Sequence, residues 1–104
     1  MLVYIACPYT KGDVAVNIHD ALKVADKVAE MGYTPYVPTW THFWHLVSPH
    51  PYEFWMKIDS DIMLRCDCML RVEGESSGAD LEVALAKEVG IPVFYSIEDL
   101  DRLF

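Results

Sequence analysis

Apolar positions along this chain switch between short continuous runs and helical stripes. Leu2–Ala6 (LVYIA) is a short apolar run closed by Pro8, the pattern of a buried strand. Beyond residues 7–12, Ile18, Ala21, Leu22, Ala25, Val28 and Ala29 recur with helical spacing. This predicts a helix from Asp13 as its cap to Met31, with Gly32 just past its last turn. Residues 33–37 read as a second strand, and Pro35 and Pro38 place it at a sheet edge. Residues 39–50 read as a long irregular loop rich in Trp, Phe and His. Pro51 opens another helix, with Phe54, Trp55, Ile58 and Ile62 as its apolar stripe. Residues 66–72 form a third strand, which leads into a polar turn at 73–77. Ser77 is expected to cap a helix over 78–89, with Asp80 completing a capping box. Gly90 stops that helix, 91–95 form a fourth strand, and Ser96 caps a short terminal helix.

Strands alternating with helices imply a parallel sheet with helices on both faces. With the second strand outside the first, the sheet order is 2-1-3-4. The expected fold is therefore an open, Rossmann-like α/β sheet in one domain over residues 1–104. In such sheets the ligand sits beyond the carboxyl ends of the strands, where the order reverses. That point falls between the first and third strands, so the loops at 7–12 and 73–77 are expected to line the site.

Composition removes several classes. The 104 residues are 53% apolar and 23% charged, a globular mix and not that of a disordered tail. Eight basic against 16 acidic residues leave a net charge of −8, so the basic patch of a nucleic-acid binder is not expected. The longest charge-free stretch, residues 31–52, contains Pro35, Pro38, Pro49, Pro51 and three histidines, so no lipid-facing helix is expected. The opening MLVYIACPYT lacks a basic segment and meets Pro8 too early for a signal peptide. Cys7, Cys66 and Cys68 are odd in number and form no disulfide framework, so a reducing cytoplasm is the expected compartment.

Four features converge on the expected crevice. Tyr4 lies near the carboxyl end of the first strand, and Thr10 and Lys11 lie in the loop after it. Ser76, Ser77 and Gly78 form a turn into a helix N-terminus, whose free N–H groups suit a phosphate or carboxylate. Glu82 follows in the first or second turn, beside a face marked by Leu81, Leu85 and Val89. It is either a solvated residue stabilised by the helix dipole or a buried functional one. Asp59, at the edge of its helix's apolar stripe, is either half buried with a raised pKa or turned outward. Two carboxylates flanking one crevice are what glycosidic cleavage needs: one attacks the anomeric carbon and the other protonates the leaving group.

Other chemistries are less well served. Neither GxGxxG nor a P-loop is present, so no cofactor is expected. Cys66 and Cys68, two apart on a strand, put both thiols on one face and read as buried apolar residues. With no CxxC or HExxH spacing, no metal is expected. The aromatic group Trp40, Phe43, Trp44 and His45 reads as a lid that stacks on a planar base, or as a surface packed on another subunit. Together with Phe104 it predicts a homo-oligomer, a dimer or larger.

The stretches VYIACPY, IDSDIMLRCDCMLRV and ESSGADLEVALAKEVGIPV resemble the nucleoside 2-deoxyribosyltransferase superfamily, including its 2′-deoxynucleoside 5′-phosphate N-hydrolase branch. The resemblance covers nearly the whole chain and is most specific at the serine–glycine–x–x–x–Glu turn and helix. It implies a flavodoxin-like fold and a small nucleoside or nucleotide as partner. It implies Glu82 as the nucleophile that forms a deoxyribosyl ester, Tyr4 as the group that orients it, and Asp59 as the residue that contacts or protonates the base. Asp59 precedes Asp67 by eight residues, the family's usual offset. Ser76, six residues before Glu82, matches a serine that binds the 5′-phosphate in the hydrolase branch. Ser77, Gly78, Lys11, Thr10, Pro8 and Trp40 complete the expected substrate contacts. The first loop departs from the family's glycine-rich or arginine-bearing form, and the fifth strand and C-terminal tail of the classical transferases have no counterpart. Hydrolysis is therefore expected ahead of base exchange, and the alternative is a non-catalytic nucleotide-binding or sensing module of the same fold.

Overall fold

The computed structural model describes residues 1–102, and Phe104 lies outside the described residues. Strands β1 (Leu2–Ala6), β2 (Thr34–Tyr36), β3 (Cys68–Arg71) and β4 (Val93–Phe94) make a parallel sheet ordered β2-β1-β3-β4. The helices are α1 (Val14–Glu30), α2 (His42–Val47), α3 (Tyr52–Met63), α4 (Ser77–Glu88) and α5 (Ile97–Arg102), with a 3-10 turn at Pro38–Thr41 before α2. This is the expected flavodoxin-like α/β sheet, with β1 as expected and β2, β3 and β4 shorter than the stretches read for them.

Side chains of β1 alternate between two core layers, as the pleat requires. Val3 and Ile5 pack with Ala21, Ala25 and Val28 of α1, Leu70 of β3 and Leu100 of α5. Tyr4 and Ala6 pack with Met63 of α3, Met69 of β3, and Ala79 and Ala86 of α4. Helices α1 and α5 thus cover one face, and α3 and α4 the other. Tyr4 is consequently aimed at the helix that carries Glu82.

The caps follow the sequence with one displacement. Asp13 Oδ1 accepts the N–H groups of Ala15 and Val16 at 2.9 and 3.2 Å, and Ser96 Oγ accepts that of Asp99 at 3.1 Å. Helix α4, however, is capped by Ser76 and not Ser77: the Ser76 Oγ accepts the Ala79 N–H at 3.1 Å. Asp80 closes no capping box, because with Ser76 as the cap the residue three on is Ala79; its carboxylate instead meets the buried Arg71 guanidinium at 3.0 Å.

Two further expectations are corrected. Within 39–50, residues up to Val47 are a 3-10 turn and a helix, and only 48–50 are irregular. Prolines flank α2 and no side chain caps it, so local signals are silent; aromatic packing on α3 holds it instead. Trp44 lies edge-on to Trp55 at 4.9 Å, the Trp55 indole N–H donates to His45 Nδ1 at 2.9 Å, and His50 stacks on Phe54 at 3.7 Å. The outer side of α2 leaves Phe43, Leu46 and Val47 exposed. The second correction concerns the thiols: Cys66 lies ahead of β3 in the Tyr4 layer, whereas Cys68 belongs to the Val3 layer. Among the described residues no helix is long and apolar enough to cross a membrane.

Candidate active site

Helix α4 turns small residues toward the sheet. Its buried positions are Ala79, Glu82 and Ala86, whereas Leu81 and Val89, expected to mark the inward face, are exposed. Glu82 therefore lies in the middle of the buried face with 9% of its surface accessible. The Tyr4 hydroxyl, itself fully buried, donates a hydrogen bond to Glu82 Oε2. One strand outward, Tyr36 is the register partner of Tyr4, and its hydroxyl donates to Asp59 Oδ1 of α3 at 3.4 Å. Two tyrosines on one rung of the sheet thus each serve one carboxylate.

Burial opposes charge on both carboxyls. It pushes Glu82 up to about 7; the Tyr4 hydrogen bond and the Arg71 guanidinium work against this, and the Asp59 charge adds to it. Asp59 is raised to about 6, again by burial, with the Tyr36 hydrogen bond pulling it down. Burial and then the Glu82 charge raise the Tyr4 hydroxyl, which keeps its proton and remains a donor. The same two causes push Cys7 up to about 12, so its thiol is no nucleophile near neutral pH.

A cavity of about 680 Å³ opens at the carboxyl ends of β1, β2 and β3, within the range of small-molecule sites. Glu82 and Asp59 line it, together with Thr10, Lys11, Ser76, Ser77 and Gly78. Tyr4 reaches the site through Glu82. Pro8 and Trp40 are not among the lining residues: Pro8 packs beneath the turn at Gly74, and Trp40 sits edge-on to Tyr36 at 5.2 Å. Lys11 lies at the rim in an exposed ion pair with Glu75 at 2.9 Å, the kind of contact that solvent leaves weak.

Thr39, His42, His45, His50, Trp55 and Met56 also reach the cavity from the segment after β2, and of these the sequence placed only His45, in the aromatic group, over the ligand. The clustering of three histidines over residues 42–50 was the available signal, but only the α2–α3 packing turns them to one place. Among the described residues no three His, Cys, Asp or Glu side chains gather into a metal-binding group.

Arg71 is the other residue whose role the pattern hid. Buried at the end of β3, it donates to the carbonyls of Val72 and Gly74, the latter at 2.8 Å, and pairs with Asp80. It thereby ties the strand, the turn and the first turn of α4 together. Gly74 in that turn has φ +129°, and a Cβ there would stand 2.7 Å from Pro8 Cγ. Gly74→Ala combines backbone strain with a clash between the two loops of the site. It is expected to lower stability by about 2–4 kcal/mol, read as a shift of the urea midpoint at constant slope.

A parallel sheet with a cleft at its reversal point, floored by a glutamate that a strand tyrosine holds, defines the class: an open α/β ligand-binding fold. The chain belongs to the family described as Domain of unknown function (DUF4406), whose model matches residues 1–95. No curated protein matches it. Among solved structures it is similar to a 2-deoxyribosyltransferase from the psychrotolerant bacterium Bacillus psychrosaccharolyticus. That likeness has a TM-score of 0.69 at 17% identity, over 89% of this chain and 69% of the other. At such identity it establishes a shared fold, which agrees with the resemblance drawn from the sequence.

Proposed function

We propose that this protein cleaves the N-glycosidic bond of nucleosides or their 5′-monophosphates through a covalent glycosyl ester on Glu82. The Tyr4–Glu82 pair facing a cavity that Asp59 also lines is the observation that carries the reading. In the first step a Glu82 carboxylate oxygen attacks C1′ of the sugar, and the bond from C1′ to the base nitrogen breaks. Its electron pair leaves on the base, which takes a proton from Asp59. In the second step water attacks C1′, Asp59 receives the water proton, and Glu82 leaves as a carboxylate. A second base in place of water would make the reaction a transfer. Burial raises both carboxyls, Asp59 to about 6 and Glu82 to about 7, so the reactive form, with Glu82 ionised and Asp59 protonated, is a minor one that is most populated between those two values.

The first N–H groups of α4, the Ser76 and Ser77 hydroxyls and Lys11 sit at one side of the cavity. A helix N-terminus and one cation favour a dianion over a hydroxyl. Values of kcat/KM for a 5′-monophosphate are therefore expected to exceed those of its nucleoside by roughly tenfold or more, about 1.4 kcal/mol. Equal values would remove phosphate recognition from the proposal. Chromatography of a panel of nucleosides and nucleotides after incubation tests the whole reading. Release of free base supports it, and tight binding without product would assign the non-catalytic module instead.

A further inference from the structure

We propose that Tyr36, braced by Trp40, is a second positioning residue, which holds Asp59 as Tyr4 holds Glu82. This rests on the glycosidase reading for its role in turnover, but the pairing itself is geometric. Tyr4 and Tyr36 are partners in the β1–β2 register, and their rings lie 5.6 Å apart at 35°. Each directs its hydroxyl to a carboxylate of a different helix on the same face of the sheet. One rung therefore sets the spacing of α3 and α4 carboxyls, which no loop could hold as firmly.

Trp40 gives the second half of the device. Its ring meets Tyr36 edge-on at 87° with the centroids 5.2 Å apart, which braces the Tyr36 ring on its rung. The exposed Trp that sequence placed on the substrate acts instead through the residue behind the acid.

The groups around Asp59 decide what removal of Tyr36 does. Glu82 of α4 and the hydroxyl of Tyr4 face it across the layer, Cys7 at the end of β1 is neutral, and His45 and His50 line the same cavity. Tyr36 is the neighbour whose hydrogen bond favours the charged carboxylate. Without it Asp59 holds its proton to higher pH.

The test is an NMR carboxyl titration of protein carrying 13C-labelled aspartate, with Asp59 assigned by its loss in Asp59→Asn. Tyr36→Phe is expected to raise the Asp59 midpoint by ~0.5–1 pH unit. The limb of the kcat/KM profile that Asp59 governs should move with it, while KM stays nearly constant. Trp40→Ala is expected to give a smaller shift of the same sign, again with KM unchanged. An Asp59 midpoint that stays in place in Tyr36→Phe overturns the proposal, whatever happens to stability. If the wild-type protein releases no base but the midpoint still moves, the pairing stands and only the glycosidase reading falls.

Discussion

Glu82→Gln is expected to lose kcat by about a thousandfold or more while binding of the intact nucleotide changes little. The amide fills the same space and still accepts a hydrogen bond from Tyr4, but it cannot attack C1′. Nucleophiles act as part of a unit, so the loss should be of the size seen when a whole constellation is disabled. Retention of more than about a tenth of the activity would show that Glu82 only fills the interface of α4 with the sheet.

The same substitution should change stability in a pH-dependent way, with a definite sign. The folded-state value of Glu82, about 7, lies above its ordinary value of 4.5, so folding takes up a proton between the two. This contribution is complete below the ordinary value and is lost as pH rises toward and through 7. Asp59, raised from 3.8 to about 6, acts with the same sign over a lower window. The wild-type melting temperature should therefore fall between pH 4 and 7 from these groups, and Glu82→Gln should flatten the upper part. The variant should be the more stable one at pH 8, since an amide costs far less to bury than a carboxylate. Melting curves at several pH values decide it, and a parallel fall in both proteins would mean that Glu82 is ionised at little cost.

Asp59→Asn is the second large effect, and its signature is selectivity. As the acid that protonates the departing base, Asp59 should contribute about 10²–10⁴-fold where the leaving base is poor. For substrates with activated leaving groups the loss should be small, because little protonation is needed at the transition state. Wild type, in turn, should be most active toward poor leaving groups between about 6 and 7 and lose activity as pH rises beyond, because the reactive form needs Glu82 ionised and Asp59 protonated. Equal losses across the leaving-group series would make Asp59 a binding contact and not an acid.

How far such residues could be read ahead of the structure depends on the range of the force that places them. The apolar run at Leu2–Ala6, the stripe of α1, and Asp13 and Ser96 at their helix starts are set by hydrogen bonds and burial periods spanning one or two turns. They were legible, and the strand order followed from the alternation of elements and from the prolines that make β2 an edge. That order located the cleft and its loops at 7–12 and 73–77, with Lys11 and Ser76 in them, whereas Glu82 and Asp59 were left open between an inward and an outward side chain. Tertiary structure decided the rest. Helix α2 exists because Trp44 and His45 pack on Trp55, a contact that capping and propensity do not encode. Glu82 faces inward because Ala79 and Ala86, and not the larger Leu81, allow α4 to lie close on β1. Asp80, in the first turn of α4, pairs with Arg71, nine residues earlier and buried beside it. Sequence by itself thus determined the elements other than α2 and the 3-10 turn before it, their order and the carboxylates available. Which side chains meet was decided by packing between residues distant in the chain, since burial and register bring Tyr4 to Glu82 and Tyr36 to Asp59.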